Sequence, residues 1–281
     1  MKIFGVMGDP ISHSLSPIMH NTWFRKYEMD HHYHAFQVST NGVHDAMKGI
    51  KALSISGMNV TIPHKVSVIP YLDHIDDEAA MLGAVNTIIH RDGKLYGENT
   101  DGLGFLASLK TKYPNYERLR RVLIIGAGGA SRAVGLTLSK HLSDVVDYAN
   151  RTVEKAQSLA VETRQYGNSK GISILEAETQ IHNYDMVINC TPMGMDSVNE
   201  RLPIQLDGVT PDTVIVDIVY RPLKTSWLQH AEHQGCTIIG GLPMLIHQGA
   251  LAFQDWLGFM PEVARVERLL QSQLGDSYVD E

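Results

Sequence analysis

Residues 59–65 read Asn-Val-Thr-Ile-Pro-His-Lys, and Asn99-Thr100-Asp101 forms a second polar knot. In a strand, Asn59 and Thr61 fall on one face and Val60 and Ile62 on the other. Pro63 has no N–H to give a ladder, so the strand ends there and Lys65 follows at once. Polar groups on an otherwise apolar strand, ending at a lysine, suit a small polar substrate better than a core. Lys65 and Asp101 make a candidate acid–base pair. Reducing a ketone to an alcohol requires a proton donor beside the carbonyl, and surroundings can tune a lysine for that task. Asp101 would hold the ammonium and share substrate hydroxyls. Taken singly, Lys65 reads as a surface lysine and Asp101 as an ordinary helix cap.

A reductase also needs a hydride source. Gly126-Ala127-Gly128-Gly129-Ala130 follows a strand and opens a helix, with Ser131 at the third glycine position of the dinucleotide pattern. Glycines let the backbone approach a pyrophosphate, and the helix N-terminus stabilises its charge. The next strand ends at Asn150-Arg151-Thr152, with Lys155 one turn on. Donors and cations there, in place of an acid, suit the 2′-phosphate of NADP rather than the bare ribose of NAD. Ser14 and Ser16 precede a helix, where two hydroxyls and free N–H groups could receive a carboxylate. Asn86 and Gln248 are further amides in reach of either a binding or a structural role. His31, His32 and His34 share a strand without carboxylates or cysteines, and His230 and His233 are a helix pair; neither set makes a metal site.

These residues need elements to position them. The chain has 281 residues, enough for two modest domains. Its net charge of −7 argues against nucleic-acid or anionic-membrane partners. Cys190 and Cys236 sit in apolar runs and read as reduced, buried thiols of a cytoplasmic protein. No signal-peptide pattern and no membrane-spanning apolar run is found. Periodicity predicts a strand at 2–7, a helix from Ser16 (as cap) to about 27, a strand at 33–38, a helix at 43–53 and the strand at 58–62. Helical pieces follow at 65–72 and 76–83, then a hairpin closed by Asp92-Gly93. From residue 102 helices and strands alternate: strands at 121–125, 144–149, 172–175, 185–190, 213–218 and 236–239, with helices between. That implies a mostly parallel, doubly wound sheet. Tail helices fall near 242–257 and 261–273.

Taken together, Ser14-Leu15-Ser16-Pro17, Asn59–Lys65, Gly83-Ala84-Val85-Asn86-Thr87, Asn99-Thr100-Asp101-Gly102, Gly126–Ala130, Asn150-Arg151-Thr152, Asp217-Ile218-Val219-Tyr220 and Gly241-Leu242 to Gln248 resemble the shikimate dehydrogenase family over nearly the whole chain. The resemblance implies an α/β protein with an N-terminal substrate domain, a C-terminal Rossmann-like NADP domain and a cleft between them. It assigns residues 1–101, completed by tail helices in 241–281, to the first, and 102–240 to the second. It implies NADPH-dependent, reversible reduction of 3-dehydroshikimate to shikimate in aromatic amino-acid biosynthesis. Lys65 and Asp101 match the family's catalytic pair. Ser14, Ser16, Asn59, Thr61, Asn86, Tyr220 and Gln248 match substrate contacts. The glycine loop, Asn150–Lys155, Ile218 and Gly241 match the cofactor side, as does Asp77. A monomer or homodimer is expected.

Two places depart from the commonest family wording. Met193 and Met195 stand in a loop often built from smaller residues, and Pro243 stands in the first turn of a helix, where proline is well tolerated. The neighbouring possibilities are an NAD-linked quinate/shikimate dehydrogenase, which Arg151 opposes, and a silent shikimate-binding regulator, which intact Lys65 and Asp101 oppose.

Overall fold

Short apolar runs separated by amphipathic ones build two six-stranded sheets. The computed structural model describes residues 1–195 and 202–276. The chain divides into one unit of residues 1–100 with 246–270 and a second that runs over 101–245 and takes in Gln271 onward.

In the first unit the elements are β1 (Lys2–Gly8), α1 (Ser16–Lys26), β2 (His31–Gln37), α2 (Val43–Ala52), β3 (Gly57–Val60), β4 (His74–Ile75), α3 (Asp77–Leu82), β5 (Thr87–Arg91) and β6 (Lys94–Glu98). Their sheet order is β2-β1-β3-β5-β6-β4. β1 runs parallel to both β2 and β3, whereas β3, β5 and β6 alternate. Asp92 and Gly93 both take positive φ, the backbone that a two-residue hairpin turn demands. The tail contributes α9 (Leu242–Leu257) and α10 (Val263–Asp276). Trp256 of α9 donates its indole N–H to the Ile88 carbonyl at 3.0 Å, and a Cβ at Gly57 would run into that indole. Trp23 donates to the Glu262 carbonyl at 2.8 Å. Two indoles thus tie the tail back onto this unit, one to β5 and one to α1, a connection that periodicity left open.

Local differences have local causes. β3 stops at Val60, two residues earlier than expected, and Ile62 turns to solvent. Residues 65–72 form turns with one short 3₁₀ stretch at Ile69–Tyr71, since Pro70 interrupts any longer helix. The two-residue β4 had no readable period.

The second unit holds α4 (Asp101–Lys112), β7 (Arg121–Ile125), α5 (Gly129–His141), β8 (Val145–Ala149), α6 (Val153–Thr163), β9 (Gly171–Ile172), α7 (Ile174–Gln180), β10 (Met186–Asn189), β11 (Val214–Asp217), α8 (Ser226–His233) and β12 (Thr237–Ile239). The order β12-β11-β10-β7-β8-β9 is parallel throughout. Alternate residues fill opposite layers. Val122, Ile124, Val146, Ile188 and Val216 pack with Phe105, Val134 and Leu138, while Leu123, Ile125, Val187 and Ile215 pack with Ile181, Trp227 and Leu228. Truncating a fully buried aromatic such as Trp227 costs roughly 3–5 kcal/mol in a close-packed layer like this. The strand expected at 172–175 is cut short because the Ser173 hydroxyl accepts from the Glu176 N–H at 3.1 Å. Ser173-x-x-Glu176 is a capping-box spelling, and it starts α7 where β-branched residues suggested a longer strand.

Candidate active site

In the first unit, three of the polar residues singled out above, Ser16, Asn59 and Asn86, are knitted into one buried network. Asn59, at 7% exposure, donates through Nδ2 to the Asn86 carbonyl and the Thr87 hydroxyl, each at 3.2 Å. Its Oδ1 accepts from the Tyr33 hydroxyl at 2.7 Å. Asn86 is fixed in turn: its Oδ1 accepts from Thr100 N at 2.9 Å and from the Thr87 hydroxyl at 2.9 Å, and its Nδ2 donates to the Thr100 hydroxyl at 3.0 Å. Tyr33 also reaches the Ser16 hydroxyl, and burial raises its phenol well above the usual range, so it remains a donor. Asn21 clamps the Tyr33 backbone, with both amide bonds at 2.9 Å. Ser16, Asn59 and Asn86 therefore meet through Tyr33, Thr87 and Thr100, none of which the motifs identified as site residues.

Ser16 does not cap α1. Leu15 occupies that position, Ser16 is the first helical residue, and its N–H donates to the Ser14 hydroxyl at 3.3 Å. The capping expectation is corrected: the helix begins one residue earlier than assumed, with Pro17 second in its first turn rather than first. Both hydroxyls stay at the helix entrance. Lys65 is placed by its backbone and its neighbour. Its carbonyl accepts from Val85 N at 2.8 Å, and the fully buried His64 makes a 2.6 Å ring-nitrogen bond to the Val38 carbonyl. Thr61 is half-buried beside the exposed Ile62. Asn99 donates to the Ala84 carbonyl at 2.8 Å, anchoring the segment that leads to Asp101, the first residue of α4. Gln248 lies half-buried on α9, next to Gly249, whose missing side chain lets the helix sit against Met19 and His20. His20 stacks on Tyr33 with centroids 4.4 Å apart and planes at 7°. Asp77 is exposed in the first turn of α3, where Asp76 is the cap, accepting from Ala79 N at 2.7 Å.

In the second unit, Gly126 has φ +113°, which side-chain-bearing residues rarely adopt, and its N–H donates to the Ala149 carbonyl at 2.8 Å. Gly128 and Gly129 open onto free space: a Cβ on either would meet nothing within 4 Å. The loop borders a cavity of about 510 Å³ that Arg132 and Lys155 also line. Arg132 pairs with Glu162, another residue of the lining, at 2.6 Å. Arg151 and Thr152 are exposed just beyond, and Asn150 Nδ2 holds the Thr152 carbonyl at 2.9 Å. Thr152 precedes α6 without a side-chain cap. Open glycines, the positive end of α5, and cations beside them fit a phosphorylated dinucleotide.

Further along the same sheet edge, Asn189 and Asp217 face each other as register partners, both fully buried. Asp217 accepts from Asn189 Nδ2 at 3.0 Å, from Val219 N at 3.0 Å and from the Thr225 hydroxyl at 2.8 Å. Burial raises its carboxyl to about 6 despite these donors. Ile218 and Tyr220 follow directly, half-buried, and burial raises the Tyr220 phenol. A Cβ at Gly241 would collide with the Ile218 carbonyl, so glycine there permits the close approach of the two loops. Met193 contributes its backbone to this region, while Met195 is 57% exposed, so the methionine pair does not crowd one point.

Residues 6–88 match the model of a shikimate dehydrogenase substrate-binding domain, 108–221 that of shikimate/quinate 5-dehydrogenase, and 241–271 that of a shikimate 5′-dehydrogenase C-terminal domain. The chain is 44% identical over 274 residues to the shikimate dehydrogenase (NADP(+)) of Bacillus cereus strain AH187, covering 98% of this chain and 99% of the relative. A crystal structure of a shikimate dehydrogenase with NADP+ superposes with TM-score 0.90 at 37% identity, over 98% of this chain and 96% of the other. Shikimate 5-dehydrogenase from Thermus thermophilus, in complex with NADP(H) and shikimate, superposes with TM-score 0.86 at 33% identity, over 95% and 98%.

Proposed function

The chain belongs to the shikimate dehydrogenase family, and we propose that it interconverts 3-dehydroshikimate and shikimate with Lys65 and Asp101 as the proton-handling pair. It is an NADP-linked oxidoreductase of the shikimate pathway, upstream of the aromatic amino acids. The observation that carries the assignment of roles is the buried network in which Ser16, Asn59 and Asn86 are mutually oriented through Tyr33 and Thr100. A network of this kind presents fixed hydroxyl and amide groups, which a polyhydroxylated carboxylate needs and an apolar core does not.

Ser14 and Ser16, at the entrance to α1, receive the substrate carboxylate. Asn86 and Thr61 orient ring hydroxyls, and Tyr220 and Gln248 are further substrate contacts. Asn59, with both amide hydrogens committed, acts mainly by fixing Asn86 and Tyr33. Lys65 donates the proton to the carbonyl oxygen as it becomes an alkoxide, and Asp101 holds the ammonium and a neighbouring hydroxyl. Bound NADPH supplies the hydride. Gly126–Ala130 receive its pyrophosphate, and Asn150, Arg151, Thr152 and Lys155 receive its 2′-phosphate. Ile218 and Gly241 border the nicotinamide, and Asp77 is assigned to the cofactor side. Residues 1–101 with the tail carry the substrate, and 102–240 carry the cofactor.

Among the described residues no helix is long and apolar enough to cross a membrane, and both cysteines are free. Free thiols fit a reduced, cytoplasmic enzyme, and a monomer or homodimer is the assembly proposed for it. The deciding assay follows nicotinamide absorbance with dehydroshikimate and either NADPH or NADH. Turnover that prefers NADPH is expected; preference for NADH would favour the quinate/shikimate alternative, and silence with both would favour a regulator.

A further inference from the structure

The sheet order of the second unit divides a bound dinucleotide into two halves. The glycine loop follows β7, and the residues read as the 2′-phosphate site follow β8, on one side of it. A pyrophosphate over the carboxyl end of β7 with its adenosine over β8 leaves the nicotinamide over the carboxyl ends of β10 and β11, on the other side. Those two strands end at Asn189 and Asp217.

We propose that Asp217 is a positioning residue for the nicotinamide half of the cofactor, acting through the two loops that its carboxylate ties together. The inference rests on the reading of this unit as the NADP-binding one. One loop is the turn after β10. Asn189 Oδ1 accepts from Thr191 N at 3.0 Å and from the Thr191 hydroxyl at 2.7 Å, while Nδ2 bonds the Met193 carbonyl at 3.2 Å and Asp217 at 3.0 Å. The second is the loop after β11, where Asp217 fixes Val219 N and so the peptide that follows Ile218. Thr225, the cap of α8, closes the arrangement: it accepts from Leu228 N at 3.3 Å and donates its proton to Asp217 at 2.8 Å.

All three partners point donors at Asp217. Oδ1 takes two of these donors and Oδ2 the third, whereas an amide would turn an NH2 toward Thr225 and force that hydroxyl to reverse its bond. No cation among the described residues pairs with it, so these three donors alone offset the cost of burying the carboxylate. A glycine with φ +95° at 194 and another at 241, pressed onto the Ile218 carbonyl, let both loops close on this point. A small error in either loop would displace Ile218 from the ring it borders while leaving the glycine loop in place.

The experiment compares two ligands by fluorescence titration at 25 °C: NADPH, and adenosine 2′,5′-bisphosphate, which carries the 2′-phosphate but no nicotinamide. Asp217→Asn should raise the Kd of NADPH about tenfold and leave that of the bisphosphate within about twofold. Thr225→Val removes one donor and should shift NADPH alone, by less; Thr225→Ser keeps the hydroxyl and should restore parental binding. If Asp217→Asn does not fold, the Thr225 pair carries the same two-ligand comparison. Unchanged NADPH affinity, or equal loss of both ligands, overturns the positioning role and leaves Asp217 as a general stabiliser of the unit. Failure of the parent protein to bind NADPH overturns the cofactor reading itself, and this inference with it.

Discussion

Tyr33 donates a 2.7 Å hydrogen bond to Oδ1 of Asn59, joining β2 to the end of β3. Both residues are buried, at 1% and 7% exposure, and the bond settles which end of the Asn59 amide faces which partner. With Oδ1 held by Tyr33, Nδ2 must serve Asn86 and Thr87.

Tyr33→Phe keeps the ring in its stack with His20 but leaves Asn59 Oδ1 short of a donor. We expect a stability loss of about 1–2 kcal/mol. KM for dehydroshikimate should rise severalfold while the Kd of NADPH stays put, because the cofactor loop lies in the other unit. Thermal unfolding and steady-state kinetics measure both; an unchanged KM would show that the network does not orient the substrate groups.

Lys65→Ala should lower kcat by about 10²–10⁴, the range for loss of a positioned proton donor, with NADPH binding nearly intact. A pH–rate profile of this variant against the parent separates proton donation from substrate orientation. Comparable loss of cofactor affinity would contradict a role confined to catalysis.

Arg151→Ala should weaken NADPH by roughly tenfold or more and NADH hardly at all, since only the former presents a 2′-phosphate to a guanidinium. Titrations with both nucleotides decide it. Equal losses would remove Arg151 from the selectivity argument.

His20 makes stability depend on acid. Burial lowers its imidazole from 6.5 to about 3, and neither ring nitrogen has a hydrogen-bond partner among the described residues. The folded-state value lies below the unfolded one, so the contribution is complete above 6.5 and is lost as pH falls towards 3. In that window the unfolded chain binds the extra proton, with a slope of about 1.4 kcal/mol per pH unit. Glu98 and Asp217 act with the opposite sign, since burial raises their carboxyls to about 7 and about 6. The test is therefore a difference: His20→Phe should flatten the acid limb of urea-unfolding stability relative to the parent. Parallel curves for the two proteins would be the contrary result.

Much of the architecture was legible because periodicity is a local property. Parallel strands buried on both faces spell themselves as apolar runs, and the hairpin is spelled by Asp92-Gly93. The errors fell where one side chain overrides a run: Ser173 captures the start of α7, Pro70 breaks a helix, and Leu15 takes the cap in place of Ser16.

At the site, the sequence by itself named the candidates, since a lysine, an aspartate, a glycine loop and an arginine have chemistry that is legible once they stand together in one chain. Only the tertiary structure decided how they are supported. Tyr33 lies in a histidine-rich strand in which it alone is buried, and nothing in its neighbours' spelling says that its hydroxyl meets Asn59. Asp217 and Asn189 are separated by 28 residues and become partners only because β10 and β11 lie side by side in register. Hydrogen bonds between distant strands depend on register and on desolvation, which belong to the folded molecule and leave no period along the chain.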